Sequence, residues 1–207
     1  MCIRDSRWAA KSLEAPKDDS LLTGCCSIYK SLICAINCSS QLNRENPNWT
    51  KSLKKLENAI KNKPESFDKT WESKKRFSMD WYYPVLCGAI VGKKAEERIN
   101  SQWNKYVLNE KGCLCVLDQP WVTIAETAEL AIALIKIQKK DKATELLSWI
   151  NDYIDSDGAY WMGRQVTEKV FWPMEKPGWT SAAVILAYDA LHNFSKGSKI
   201  FLDDHLI

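Results

Sequence analysis

The sequence predicts an all-α fold, a ring of helical hairpins of the α/α-toroid type, and three features carry that prediction. The first is the stretch Asp118–Ile135, which enters as a polar-aromatic loop and becomes a helix almost without surface-like residues after its first turn. Ile124, Ala128, Ala131 and Ile135 fall on one helical stripe, and Leu130 and Leu134 widen it. The alanines at 125, 128, 131 and 133 leave little bulk, so neighbouring helices can approach closely. The second feature is recurrence. The same design returns at Asp80–Ile90 and Gly178–Tyr188, and buried helices alternate with amphipathic ones at intervals of roughly fifty residues. Repeated hairpins of that period mean a solenoid or a closed toroid. Third, the long aromatic-rich loops all precede the buried helices and therefore gather at one end, which favours the ring.

Composition bounds the function. With 207 residues, 45% of them hydrophobic, the chain can bury a substantial core. A net charge of +3, with lysines scattered over the amphipathic helices, does not make a basic patch for nucleic acid. No run approaches the length of a membrane span. Of the eight cysteines, Cys34, Cys38 and Cys87 lie inside apolar helices, where free cysteine behaves as a small hydrophobe. Cys25-Cys26 and Cys113-x-Cys115 lack zinc-knuckle spacing and have no histidine near them. These placements point to a reducing, cytoplasmic compartment, with neither metal nor cofactor.

Met1–Ser6 reads as the translated end of a sequencing adaptor, so residues 7–23 are expected to be the end of a truncated helix and a loop. Residues 24–201 form the toroid part, and 202–207 a tail. A buried helix is expected over 24–43. An amphipathic one starts at Pro47, carries Trp49, Leu53, Leu56 and Ile60 on one side, and ends at Pro64. Phe67–Met79 is a polar connector. Buried helices at 79–91, 123–138 and 179–194 alternate with amphipathic ones at 93–107 and 141–154, and Gly112–Leu117 reads as a short strand pair or an extended loop. Everything after Ser195 is expected to be a tail. The outer edges of such an arc should expose some of Ile28, Leu32, Ile36, Val184, Ile185 and Tyr188 and so favour association.

Two resemblances follow from particular residues. Lys142-Ala143-x-x-Leu146-Leu147-x-x-x-Asn151, followed by Asp157-Gly158-x-Tyr160-Trp161, resembles the repeat of prenyltransferases and squalene-cyclase-type terpene cyclases, which has glutamine where Asn151 stands. A longer span, about 24–201, resembles bacterial proteins labelled prenyltransferase or six-hairpin-glycosidase-like. It does so through Ser27–Leu32, Met79–Leu86, Pro120–Glu129 and Trp179–Val184. That resemblance implies a six-hairpin toroid, of which this chain holds an incomplete arc of about three and a half hairpins.

The chemistry is weighed against those families. Protonating terpene cyclases need Asp-x-Asp-Asp, and Asp155-Ser-Asp-Gly158 is better explained as a turn. Prenyl transfer uses a zinc ion, yet the only histidines are His192 and His205. Sugar chemistry asks for carboxylates across a cleft and flat aromatics against sugar faces. The loops supply both. Asp80, Asp118 and Glu175 are the catalytic candidates. Tyr29, Lys30, Trp81, Tyr82, Trp121, Glu126, Asp157, Tyr160, Trp161 and Trp179 are the substrate-binding ones. Structural roles compete for several: Asp80 as an N-cap, Asp118 in an Asx turn, Glu126 as the capping-box partner of Thr123, Asp157 in a turn, Lys30 paired with an anion. The expected function is that of a carbohydrate-active protein, glycoside hydrolase-like or glycan-binding, with a small-molecule or glycan partner. An isoprenoid-handling toroid and a non-catalytic scaffold are the alternatives.

Overall fold

The computed structural model describes residues 19–69 and 73–203. The readings of Met1–Ser6, of the helix end at Arg7–Leu13 and of His205 fall outside the described residues. Helices dominate: α1 (Leu22–Gln41), α2 (Pro47–Asn62), α3 (Ser78–Leu86), α4 (Gly92–Tyr106), α5 (Ile124–Lys136), α6 (Lys140–Trp149), α7 (Gly178–His192) and the short α8 (Lys199–Leu202). Asn46 caps α2 by accepting from Asn48 N at 3.1 Å, with Pro47 in the first turn, where a missing N–H costs nothing. The apolar pattern runs to Val91, but α3 stops at Leu86. There the chain turns through Gly88 at φ +83°, a conformation open to glycine. No described helix is long and apolar enough to cross a membrane.

Packing follows the alternation. α1 lies against α3, α3 against α5 and α5 against α7, while α2, α4 and α6 pack on α1, α3 and α5 in turn. α5 is buried along nearly its whole length, whereas α6 buries only Ala143, Leu146 and Leu147. One apolar core runs through α3 to α7, and a smaller one joins α1 and α2 around Cys26, Tyr29, Ile33 and Ile60. At the outer faces Ile185 is 68% exposed, Ile28, Leu32, Ile36 and Tyr188 are half-buried, and Val184 is buried.

Two small sheets interrupt the helical picture. β1 (Val107–Leu108) pairs with β2 (Gly112–Cys113), and β3 (Trp121–Thr123), β4 (Gly163–Gln165) and β5 (Val170–Phe171) form an antiparallel sheet. Bridges Phe77↔Val116 and Leu114↔Val122 tie these together. The loops entering α3, α5 and α7 thereby become one hydrogen-bonded cap at one end of the helices. Gly112 is needed at its position: it sits at φ +126°, and a Cβ there would stand 2.7 Å from Thr127 Oγ1.

Of the tail expected from Ser195 onward, the described part, 195–203, is folded. α8 packs on α5 and α7, and two lysines hold its C-terminal end: Lys136 Nζ donates to Phe201 O at 2.8 Å and Lys30 Nζ to Asp203 O at 2.7 Å. Cations at a helix C-terminus satisfy carbonyls that have no intrahelical donor.

The core assignment has a measurable consequence. Leu134→Ala, inside α5, should cost about 2–5 kcal/mol in denaturant unfolding, whereas Ile185→Ala on the outer face should change stability by about 0.5 kcal/mol or less. Equal costs would contradict the assignment.

Candidate active site

Between the buried helices lies a cavity of ≈ 520 Å³ lined by α1 (Cys26, Ser27, Lys30, Ser31, Cys34), the α3 segment (Tyr83, Leu86, Cys87), α5 (Glu129, Ile132), α7 (Ala183, Leu186) and α8 (Ile200, Phe201). Most of that wall is apolar. Among the described residues Glu129 is the one acid in it and Lys30 the one base.

Two neighbouring tyrosines of α3 grip Glu129, one on each oxygen. Tyr82 Oη donates to Oε2 at 2.6 Å and Tyr83 Oη to Oε1 at 3.1 Å. Tyr82 is fully buried, while Tyr83 reaches the cavity. Glu129 is half-buried and lines the cavity. Burial pushes Glu129 up to about 7, and the charge of Glu126 adds to the rise, while both tyrosine hydrogen bonds oppose it. An acid that exchanges its proton near neutrality, facing a cavity, is chemically suited to proton transfer.

Glu126 stands one turn earlier on the same stripe of α5. The capping box with Thr123 is not formed: Thr123 makes no side-chain cap, and its Oγ1 has no partner. The strand pairing of Thr123 with Gly163 and the bond from Ile124 N to Met162 O already organise the helix start, so Glu126 turns inward. It is 9% exposed, and its Oε2 has no hydrogen-bond partner among the described residues.

The remaining candidates divide into groups. Asp80 is buried beside Arg98, whose Nη2 donates to the Asp80 carbonyl at 2.8 Å. It faces a different depression, with Ile60, Asp68 and Lys75, and burial pushes it up to about 6 against the pull of Arg98. Trp81 is core: its ring stacks on Tyr106 at 5.2 Å and its Nε1 donates to Arg98 O at 2.7 Å. Tyr29 packs in the smaller core. Asp118 forms a forked pair with Arg76 Nη2 at 2.7 and 2.6 Å, in place of an Asx turn.

On the cap, Asp157 closes the expected turn, accepting from Ala159 N at 3.0 Å, and shares Lys176 with Asp155. Lys176 lies 5.1 Å from the Trp161 ring centroid, and that ring stacks on Phe171 at 5.2 Å. Tyr160 N donates to Ser181 Oγ at 3.3 Å. Trp121 meets Trp172 edge-on, while Glu175 and Trp179 are exposed. The structure thus gathers Tyr82, Glu126 and Lys30 around or behind the cavity, and Trp121, Asp157, Tyr160, Trp161, Glu175 and Trp179 at the cap. Glu129 has a signal in the sequence: with Glu126 it makes two acids three residues apart in a helix too apolar to carry them on a solvated face.

Glu129 makes stability depend on pH in a definite direction. Its native value lies above the ordinary 4.5, at about 7, so in that window the folded chain holds a proton that the unfolded chain releases. Stability should be greatest below about 4.5 as far as this group decides it, fall as pH rises, and level off above about 7, with a total near 3 kcal/mol. Glu129→Gln should flatten that part of the curve, leaving the contribution of Asp80. Carboxyl-carbon NMR gives the finer check: Glu126→Gln should lower the Glu129 titration and Tyr82→Phe raise it. Shifts of the same sign would contradict the network.

The comparison with known proteins adds a chemical context. The chain is similar to the MMP endo-(1,4)-3-O-methyl-alpha-D-mannosidase of Mycolicibacterium hassiacum, at 42% identity over 194 residues that make up 94% of this chain and 53% of that protein. This chain therefore spans about half the length of the curated relative it matches. No protein-family model matches it. A relative of that kind supports a carbohydrate-active, glycosidase-like helical protein.

Proposed function

We propose that this chain is part of an endo-acting glycoside hydrolase for α-(1,4)-linked mannose chains carrying 3-O-methyl groups, with Glu129 as its general acid. The observation that carries the reading is the 42% identity with the endo-mannosidase across nearly the whole chain. The cavity supports it. Glu129, raised to about 7 and so partly protonated at neutrality, would give its proton to the glycosidic oxygen as the bond to the anomeric carbon breaks. Tyr82 and Tyr83 fix the carboxyl group, and Tyr83 lines the same cavity.

The mostly apolar wall suits methyl ethers better than bare hydroxyls, each of which would need a partner when buried. A two-acid mechanism requires a second carboxylate, and among the described residues the cavity lining adds none to Glu129. Among the loop acids proposed from sequence, Asp118 and Asp157 are tied in ion pairs, which leaves Glu175 the freer candidate. The alternation of inner and outer helices supports an arc of an α/α toroid. A prenyl diphosphate is less suited to this cavity, whose described lining offers one cation, Lys30, already bonded to Asp203 O.

The test is hydrolysis of 3-O-methylated α-(1,4)-mannan, read as new reducing ends. Glu129→Gln should lower kcat by about 10²–10⁴-fold while the chain keeps its cooperative melt. Unchanged hydrolysis in that variant would reject Glu129 as the acid.

A further inference from the structure

An enzyme that cuts within a polymer must hold sugar units on both sides of the broken bond. A cavity of ≈ 520 Å³ is the size of a site for one compact ligand, so most of a long glycan must run outside it. α7 indicates the direction. Ala183 and Leu186 line the cavity, and Trp179 lies four and seven residues before them, on the same face and nearer the helix N-terminus. Its indole is 54% exposed, at the edge of the cap.

Further along the cap Trp172 is 56% exposed but not loose. Trp121 Nε1 donates to its carbonyl at 2.6 Å, and the two rings meet edge-on with centroids 5.2 Å apart. A pinned indole loses little freedom on binding. Charge fits a neutral polymer, because Lys176, the cation beside Trp161, is already matched by Asp155 and Asp157.

We propose that Trp179 and Trp172 form a stacking platform that extends the sugar site from the cavity over the start of α7 onto the β3–β4–β5 cap. It carries the glycan units beyond the cleavage point. Pyranose rings present an apolar C–H face to such indoles, and methyl ethers enlarge it. This inference rests on the glycosidase reading above.

Oligosaccharides of 3-O-methylated α-(1,4)-mannose, graded from short to long, provide the test. Both indoles are exposed, so Trp172→Ala and Trp179→Ala should fold normally. Each should raise KM about three- to tenfold for long chains, and by a much smaller factor for the shortest cleaved chain. Trp172→Phe and Trp179→Phe should restore most of the long-chain affinity. A KM effect of equal size at every length, or none at any length, would overturn the platform. So would variants that change sedimentation of the free chain without changing KM, because a second protein surface would then be what the indoles meet. If the unmodified chain neither cleaves nor binds any of these glycans, the glycosidase reading fails, and the platform fails with it.

Discussion

The rest of the site depends on one constraint: a carboxylate in the second turn of a helix that is otherwise buried and apolar. Charge there is costly. Two hydroxyl groups from consecutive residues of α3 offset that cost, one for each oxygen of Glu129. The hydrogen bonds fix the distance and rotation of α3 against α5 at the point where the cavity begins. Burial first, and nearby Glu126 second, work against them, so the group stands between its charged and neutral forms. A carboxylate fully satisfied by donors would stay ionised, and one wholly without them would stay neutral; neither would exchange a proton readily near neutral pH.

The cap serves the same end by other means. Strands of two or three residues, joined by single bridges, fix the loops that enter α3, α5 and α7. They replace the side-chain capping of α5 that the Thr123–Glu126 spacing suggests, and this frees Glu126 to face inward. At the opposite side of the cavity the chain returns as α8, and Lys30 and Lys136 bind its terminal carbonyls. Lys30 thus spends a hydrogen bond on closing the wall while its stem lines the cavity.

Much of the helical order is legible in the sequence because burial imposes a period on it. Ile124, Ala128, Ala131 and Ile135 announce α5, and the lysines of α2 announce a solvated face. The sheets are not legible, since two- and three-residue strands are too short to alternate visibly. Nor is α8, whose four residues are held by tertiary contacts to lysines far away in the chain. The sequence points to loop acids more readily than to a helical one. Acids beside aromatics drew attention to the loops, where Asp118 and Asp157 prove to be bound to Arg76 and Lys176. Glu129 lies inside a helix, where local rules treat a glutamate as an ordinary helix former. Only the apolarity of its neighbours on every side marks it as unusual.

The central claim is that the cavity receives a methylated mannan with Glu129 at the bond to be broken. The most direct measurement is a crystal structure of the Glu129→Gln variant with a bound 3-O-methylated α-(1,4)-mannose oligosaccharide. The account predicts a glycosidic oxygen within hydrogen-bond reach of the substituted side chain, about 2.6–3.2 Å, with methyl groups against Ile132 and Leu186. A glycan bound elsewhere on the chain, with the cavity empty of sugar, would contradict it.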